Sequence, residues 1–85
     1  MLKILLHRRA EKSFDKLPKQ ILRKVYELVS ELKANPVPWK TWDVRKIKGE
    51  KDTYRVRLDK YRLVYWVNWR KREITILKIE SRKKI

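Results

Sequence analysis

Tyr54-Arg55-Val56-Arg57-Leu58 and Tyr61-Arg62-Leu63-Val64-Tyr65-Trp66-Val67, parted only by Asp59-Lys60, decide how this chain folds. Both runs alternate with a period of two and are rich in β-branched and aromatic residues, the pattern of two antiparallel strands joined by a tight turn. With Asp59 and Lys60 as the turn, Leu58 faces Tyr61, Arg57 faces Arg62, Val56 faces Leu63 and Arg55 faces Val64. One side of the hairpin is then apolar throughout: Tyr54, Val56, Leu58, Tyr61, Leu63, Tyr65 and Val67. On the other side two arginines stand opposite each other with a third one step along, although like charges opposed across strands destabilise a sheet. A cluster kept at that cost points to a site for an anion. Val64 and Trp66 share this side, so a ligand would meet apolar and aromatic surface beside the guanidinium groups. Bases stack on such a surface while phosphates pair with arginine, a combination suited to single-stranded nucleic acid.

Working outward, Leu2, Ile4 and Leu6 alternate in a short first strand whose polar end is His7. From Arg8 to Leu17 the spacing becomes helical, with Ala10, Phe14 and Leu17 on one side, until Pro18 interrupts it and starts a second helix. There Leu17, Ile21, Val25, Leu28, Val29 and Leu32 recur at steps of three and four, one apolar stripe that ends at Asn35-Pro36. A link through Val37 to Thr41 leads to a strand over Trp42 to Lys48, with Trp39 and Trp42 expected to pack the link onto the core. Gly49 opens a polar turn before the hairpin, and a second turn near Arg70-Lys71, flanked by Trp69, leads to a last strand from Glu73 to Ile79. The expected fold is α+β: a short N-terminal strand, a helical hairpin, then an antiparallel three- to four-stranded meander with the helices on one face.

Eighty-five residues make a single domain spanning 1–85, near the small end of what one core can stabilise. Twenty-five Lys and Arg against ten Asp and Glu leave a net charge of +15. So large a charge on so small a domain predicts a phosphate-rich polymer or an acidic protein as partner. Nine basic and four acidic residues precede the break after Pro38 and sixteen basic and six acidic follow it, which concentrates the excess in the β-rich half. Cysteine is absent and histidine occurs once, so thiolate chemistry, disulfides and histidine-rich metal sites are not expected. No stretch resembles a signal peptide or reaches membrane-spanning length, and the expected compartment is the cytoplasm.

Lys46-Ile47-Lys48-Gly49, Tyr54-Arg55-Val56-Arg57-Leu58, Tyr61-Arg62-Leu63-Val64-Tyr65 and a final apolar strand leading to Arg82 together resemble the RelE/ParE superfamily of toxins from toxin–antitoxin pairs. With Asn35-Pro36-Val37-Pro38, the likeness is greatest to archaeal RelE-type members and covers nearly the whole chain. The resemblance implies a metal-free ribonuclease that needs no cofactor, cuts messenger RNA in the ribosomal A site by attack of the ribose 2′-OH, and is inactivated by a small helical antitoxin wrapped around it. It implies that Arg55 and Arg57 hold and activate the RNA, that Arg62 stabilises the phosphorane-like transition state, and that Arg82 contacts the scissile phosphate. Lys46 and Lys48 are expected backbone contacts, with Trp66, Lys83 and Lys84 as further RNA-binding residues. The tyrosine that many RelE members carry several residues beyond the last arginine has no counterpart before Ile85. Arg57, Lys78, Glu80 and Tyr65 are the candidates to move a proton in its place. Two other functions fit the same residues: a ParE-like inhibitor of DNA gyrase, and a basic RNA- or ribosome-binding module with weak catalysis.

Overall fold

The computed structural model describes residues 1–81. Arg82, assigned to the site by resemblance, and Lys83 and Lys84, expected to bind RNA, lie outside the described residues.

Seven elements follow one another: β1 (Lys3–Leu6), α1 (Arg8–Phe14), α2 (Lys19–Leu32), β2 (Val44–Lys46), β3 (Thr53–Leu58), β4 (Tyr61–Asn68) and β5 (Glu73–Ser81). The strands form one sheet in the order β1-β5-β4-β3-β2. Strands β2 to β5 are the antiparallel meander expected from sequence, and β1 adds to the β5 edge in parallel orientation. Strands β1 and β2 therefore sit at opposite edges, about four strand spacings or ~19 Å apart. The chain must cross the sheet between them, and the fourteen residues of α2 supply ~21 Å of helix for that crossing.

The hairpin has the expected register, with Leu58 opposite Tyr61, Arg57 opposite Arg62, Val56 opposite Leu63 and Arg55 opposite Val64. Asp59 turns it at φ +56°, a left-handed conformation that aspartate tolerates better than most residues. The apolar side buries Val56, Leu58, Leu63, Tyr65 and Val67 against Ile21, Val25, Leu28 and Leu32 of α2. Ala10 of α1 and Ile74, Ile76 and Ile79 of β5 complete this core. Each fully buried aliphatic side chain contributes roughly 1.5–3 kcal/mol relative to exposure.

Both helices are shorter than their periodicity predicted, and their ends show why. His7 is the N-cap of α1, its Nδ1 accepting a hydrogen bond from the Arg9 amide at 3.1 Å, so the residue read as the polar end of a strand closes a helix. Pro18 caps α2 through its carbonyl, which accepts from the amides of Ile21 and Leu22 at 3.0 Å each. Strand β2 is also shorter than Trp42 to Lys48. Its ladder stops at Lys46, and Lys48 lies in the following turn. Of the two link tryptophans, Trp42 is half-buried and donates from Nε1 to Glu31 at 2.9 Å, whereas Trp39 is 66% exposed and leaves the core.

One irregularity decides what faces the open side of the sheet. Val64 pairs with Lys78 but Tyr65 pairs with Ile76, so Leu77 is an extra residue bulged out of β5. The bulge shifts alternation by one, which lets Ile76 and Ile79 both face the helices. It also turns Lys78 and Glu80 to the side occupied by the arginines.

Candidate functional site

The helices cover one face of the sheet, and the opposite face carries a cluster of charged side chains. Reading across strands, Asp43, Arg57, Arg62 and Glu80 form one row, with the Arg57 amide donating to the Asp43 carbonyl at 3.1 Å. Arg45, Arg55, Val64 and Lys78 form the next row, and Thr53, Trp66 and Thr75 a third. Five cationic and two anionic side chains thus share one exposed surface. The carboxylates at its flanks hold the cations loosely. Asp43 lies 3.6 Å from Arg45 Nε and 3.9 Å from Arg57 Nε, and Glu80 lies 3.5 Å from Lys78 Nζ. Exposed pairs of this length are worth about 1 kcal/mol or less, so the guanidinium groups remain available to a stronger anion.

Arg62 stands apart from its neighbours. Its Nε is buried, and among the described residues it has no hydrogen-bond acceptor. Leaving a buried donor unpaired costs roughly 1–3 kcal/mol. A phosphate arriving over the Arg57–Arg62 pair would relieve the repulsion between the two arginines through charge-assisted bonds.

The structure brings Arg55, Arg57, Arg62 and Trp66 together on this face, as their alternation required. Trp66 is 38% exposed at one end of it, while Val64 is only 6% exposed, contrary to the apolar contact expected there. Its cross-strand neighbours are Arg55 and Lys78, long side chains whose stems are placed to cover it. Lys46 pairs with Tyr54, a residue of the helix-side face, and its Nζ donates to the Glu50 carbonyl at 3.3 Å. Lys46 therefore stands on the helix-side parity of the edge strand and Lys48 in the turn after it, so neither shares the arginine face. The residues missed in the sequence are Asp43 and Arg45. Val44 pairs with the core residue Val56, which turns its two neighbours outward; that parity was visible, but the apolar Ile47 obscured it.

Tyr65 does not reach the arginines. It lies on the helix side, fully buried, with its hydroxyl donating to the Pro36 carbonyl at 2.6 Å and its ring stacked on Tyr54 at 5.5 Å. Burial, with a smaller contribution from Tyr54, pushes the hydroxyl far above the ordinary tyrosine pKa and keeps it protonated.

Among the described residues, depressions lie between Pro18, Ile21 and the Asp59-Lys60 turn, beside Trp69 and Lys51, and, apolar, among Leu6, Phe14 and Tyr26, none of them lined by Arg55, Arg57 or Arg62. The arginine face is open sheet rather than a cleft, a shape that suits an extended polyanion better than an enclosed small molecule. Among the described residues no group of three His, Cys, Asp or Glu side chains is placed to hold a metal ion. No helix of these residues is long and apolar enough to cross a membrane.

The model of the ParE toxin family of type II toxin–antitoxin systems matches residues 4–85. The chain is 42% identical over 77 residues to the Methanocaldococcus jannaschii protein RelE1, covering 91% of this chain and 86% of that one. This chain belongs to the RelE/ParE family of toxins. Among solved structures, RelE of Pyrococcus horikoshii, crystallised with RelB, superposes with a TM-score of 0.86 at 36% identity over 99% of this chain and 98% of that one. The Escherichia coli toxin in the RelBE complex superposes with a TM-score of 0.84 at 22% identity, covering 99% of this chain and 100% of the other, a likeness of fold. The antiparallel meander carrying the arginines is thus set in a RelE-type framework from end to end.

Proposed function

We propose that this RelE/ParE-family toxin is an endoribonuclease that cleaves messenger RNA in the ribosomal A site. The observation that carries the proposal is the Arg57–Arg62 pair, two arginines opposed across the hairpin on the face away from the helices, an arrangement that suits an anionic oxygen. Attack of a ribose 2′ oxygen on the adjacent phosphorus places two negative charges on a phosphorane. Donors aimed at such a centre commonly lower the barrier more than any other single effect. In this proposal Arg62 stabilises the phosphorane, Arg55 and Arg57 hold the RNA backbone, and Trp66 offers a stacking platform. By resemblance Arg82 contacts the scissile phosphate and Lys46 and Lys48 supply further backbone contacts, and in this proposal the basic Lys83 and Lys84 add to them. The ribosome contributes orientation, which alone can be worth on the order of 7 kcal/mol or more.

The partner in this proposal is a small antitoxin that binds this chain in a hetero-oligomer in the cytoplasm. The P. horikoshii and E. coli structures are both complexes of RelE with RelB. A segment that folds on binding can cover a broad positive surface at the cost of its own ordering.

The test is incubation of the purified protein with ribosomes programmed with a defined messenger RNA. Cuts at codon-spaced positions are expected, and a single 2′-deoxy nucleotide at the scissile position should block them. Gyrase inhibition without any effect on translation would replace this reading with a ParE-like one.

A further inference from the structure

Cleavage by a 2′ oxygen needs a group that takes its proton, and arginine cannot accept one near neutral pH. Tyr65 lies on the wrong side of the sheet, and Lys78 stands opposite Val64, one row away from the Arg57–Arg62 pair. We propose that Asp43 is the proton acceptor of this site, an inference that rests on the ribonuclease reading above.

Three observations support it. Asp43 stands in the same cross-sheet row as Arg57 and Arg62, and its carboxylate lies 3.9 Å from the Nε of Arg57. A phosphate gripped by Arg57 therefore brings the neighbouring ribose within reach of the Asp43 oxygens. Secondly, the backbone that carries Asp43 is held in place while its carboxylate is not chemically occupied. On one side Thr41 Oγ1 and Trp42 Nε1 donate to Glu31 at 3.0 and 2.9 Å, and on the other the Arg57 amide holds the Asp43 carbonyl. Its ion pairs, at 3.6 and 3.9 Å, are longer than hydrogen bonds, so both oxygens keep lone pairs free among the described residues. Thirdly, an anion beside a phosphate-binding pair opposes RNA binding, so its place in the row is better explained by chemistry than by affinity. Glu80, the other carboxylate of the row, sits beyond Arg62, at the end of the row away from Arg57.

In the step proposed, an Asp43 oxygen takes the 2′-OH proton while the 2′ oxygen forms its bond to phosphorus. The P–O5′ bond breaks with its electron pair on the 5′ oxygen, which takes a proton from water. The Asp43 proton neutralises the hydroxide so formed, leaving a 2′,3′-cyclic phosphate and a 5′-OH with no net consumption of acid or base.

The test compares wild type with Asp43→Asn in two measurements. One is single-turnover cleavage of ribosome-bound messenger RNA. The other is binding of a short RNA whose 2′ oxygens are methylated to prevent reaction. General-base catalysis contributes typically ~10²- to 10⁴-fold, so Asp43→Asn should lose cleavage by at least ~10²-fold while binding is unchanged or tighter. Asp43→Glu, which keeps the carboxylate, should recover part of the rate. Cleavage by Asp43→Asn within a few-fold of wild type overturns the inference. Joint loss of cleavage and binding, or the same split in Glu80→Gln instead, also overturns it. Absence of cleavage by wild type removes the ribonuclease reading itself, and this inference with it.

Discussion

Arg57 and Arg62 face each other across β3 and β4, and the Nε of Arg62 is buried there without an acceptor among the described residues. Two like charges and an unpaired donor at one point of a small sheet are a cost to folding that a bound anion would reduce.

Stability and activity should therefore move in opposite directions at Arg62. Replacing it with methionine keeps much of its packing volume and removes both the repulsion and the unpaired donor. Arg62→Met is expected to gain about 1 kcal/mol, which for a domain of this size is roughly 4–8 °C in the unfolding midpoint, while losing activity on RNA. Thermal unfolding by circular dichroism reads the first, and a midpoint below wild type would show that the arginine stabilises the free protein.

Tyr65→Phe should separate packing from chemistry. It removes the hydrogen bond to Pro36 and leaves that carbonyl short of a donor, costing roughly 1–2 kcal/mol. Cleavage should survive, because the hydroxyl lies on the helix side of the sheet. The pH dependence follows from the raised pKa. Native Tyr65 stays protonated where unfolded tyrosine ionises, so its contribution is fully present below pH ~10 and is lost as pH rises beyond it. Denaturant titrations at pH 8 and 11 should show a smaller alkaline loss in Tyr65→Phe than in wild type.

Glu31 is expected to matter at a distance. Its two carboxylate oxygens accept from Thr41 and Trp42, which fixes the chain just before Asp43. Bonds to a charged acceptor are worth about 1.5–3 kcal/mol each when buried, and these are partly exposed. Glu31→Ala should cost ~2 kcal/mol by urea unfolding and slow cleavage under conditions where the variant is still folded. A stable variant with full activity would show that the link does not position the arginine face.

Salt dependence tests which cations meet phosphate. For single-stranded nucleic acid the slope of log K against log salt changes by about 0.7 for each phosphate contact. Arg55→Ala and Arg57→Ala should each weaken binding of a short RNA and flatten that slope by roughly this amount. Arg23→Ala, on the outer side of α2, should leave it unchanged.

The hairpin was legible because its register and its two faces depend on local alternation alone, and Arg55, Arg57 and Arg62 followed from it. The helical stripe was legible for the same reason. What lay beyond reach depended on partners distant in sequence. Alternation cannot announce the Leu77 bulge, which turns Lys78 and Glu80 onto the arginine face, because Ile74, Ile76 and Ile79 are apolar whether or not a residue is extra. The parallel placement of β1 beside β5 is set by where the helices return the chain. The outward parity of Asp43 and Arg45, obscured in the sequence by the apolar Ile47, is fixed by the pairing of Val44 with Val56. His7 turned into a helix cap because one ring nitrogen met the Arg9 amide, an event that side-chain type alone does not specify.

The most direct measurement is single-turnover cleavage of a messenger RNA in the A site of a programmed ribosome, with wild type and Arg62→Ala side by side. Cuts at codon-spaced positions are expected from wild type, with a rate ~10²- to 10³-fold lower for Arg62→Ala. Equal cutting by the two proteins would contradict the assignment of the arginine face as the cleavage site.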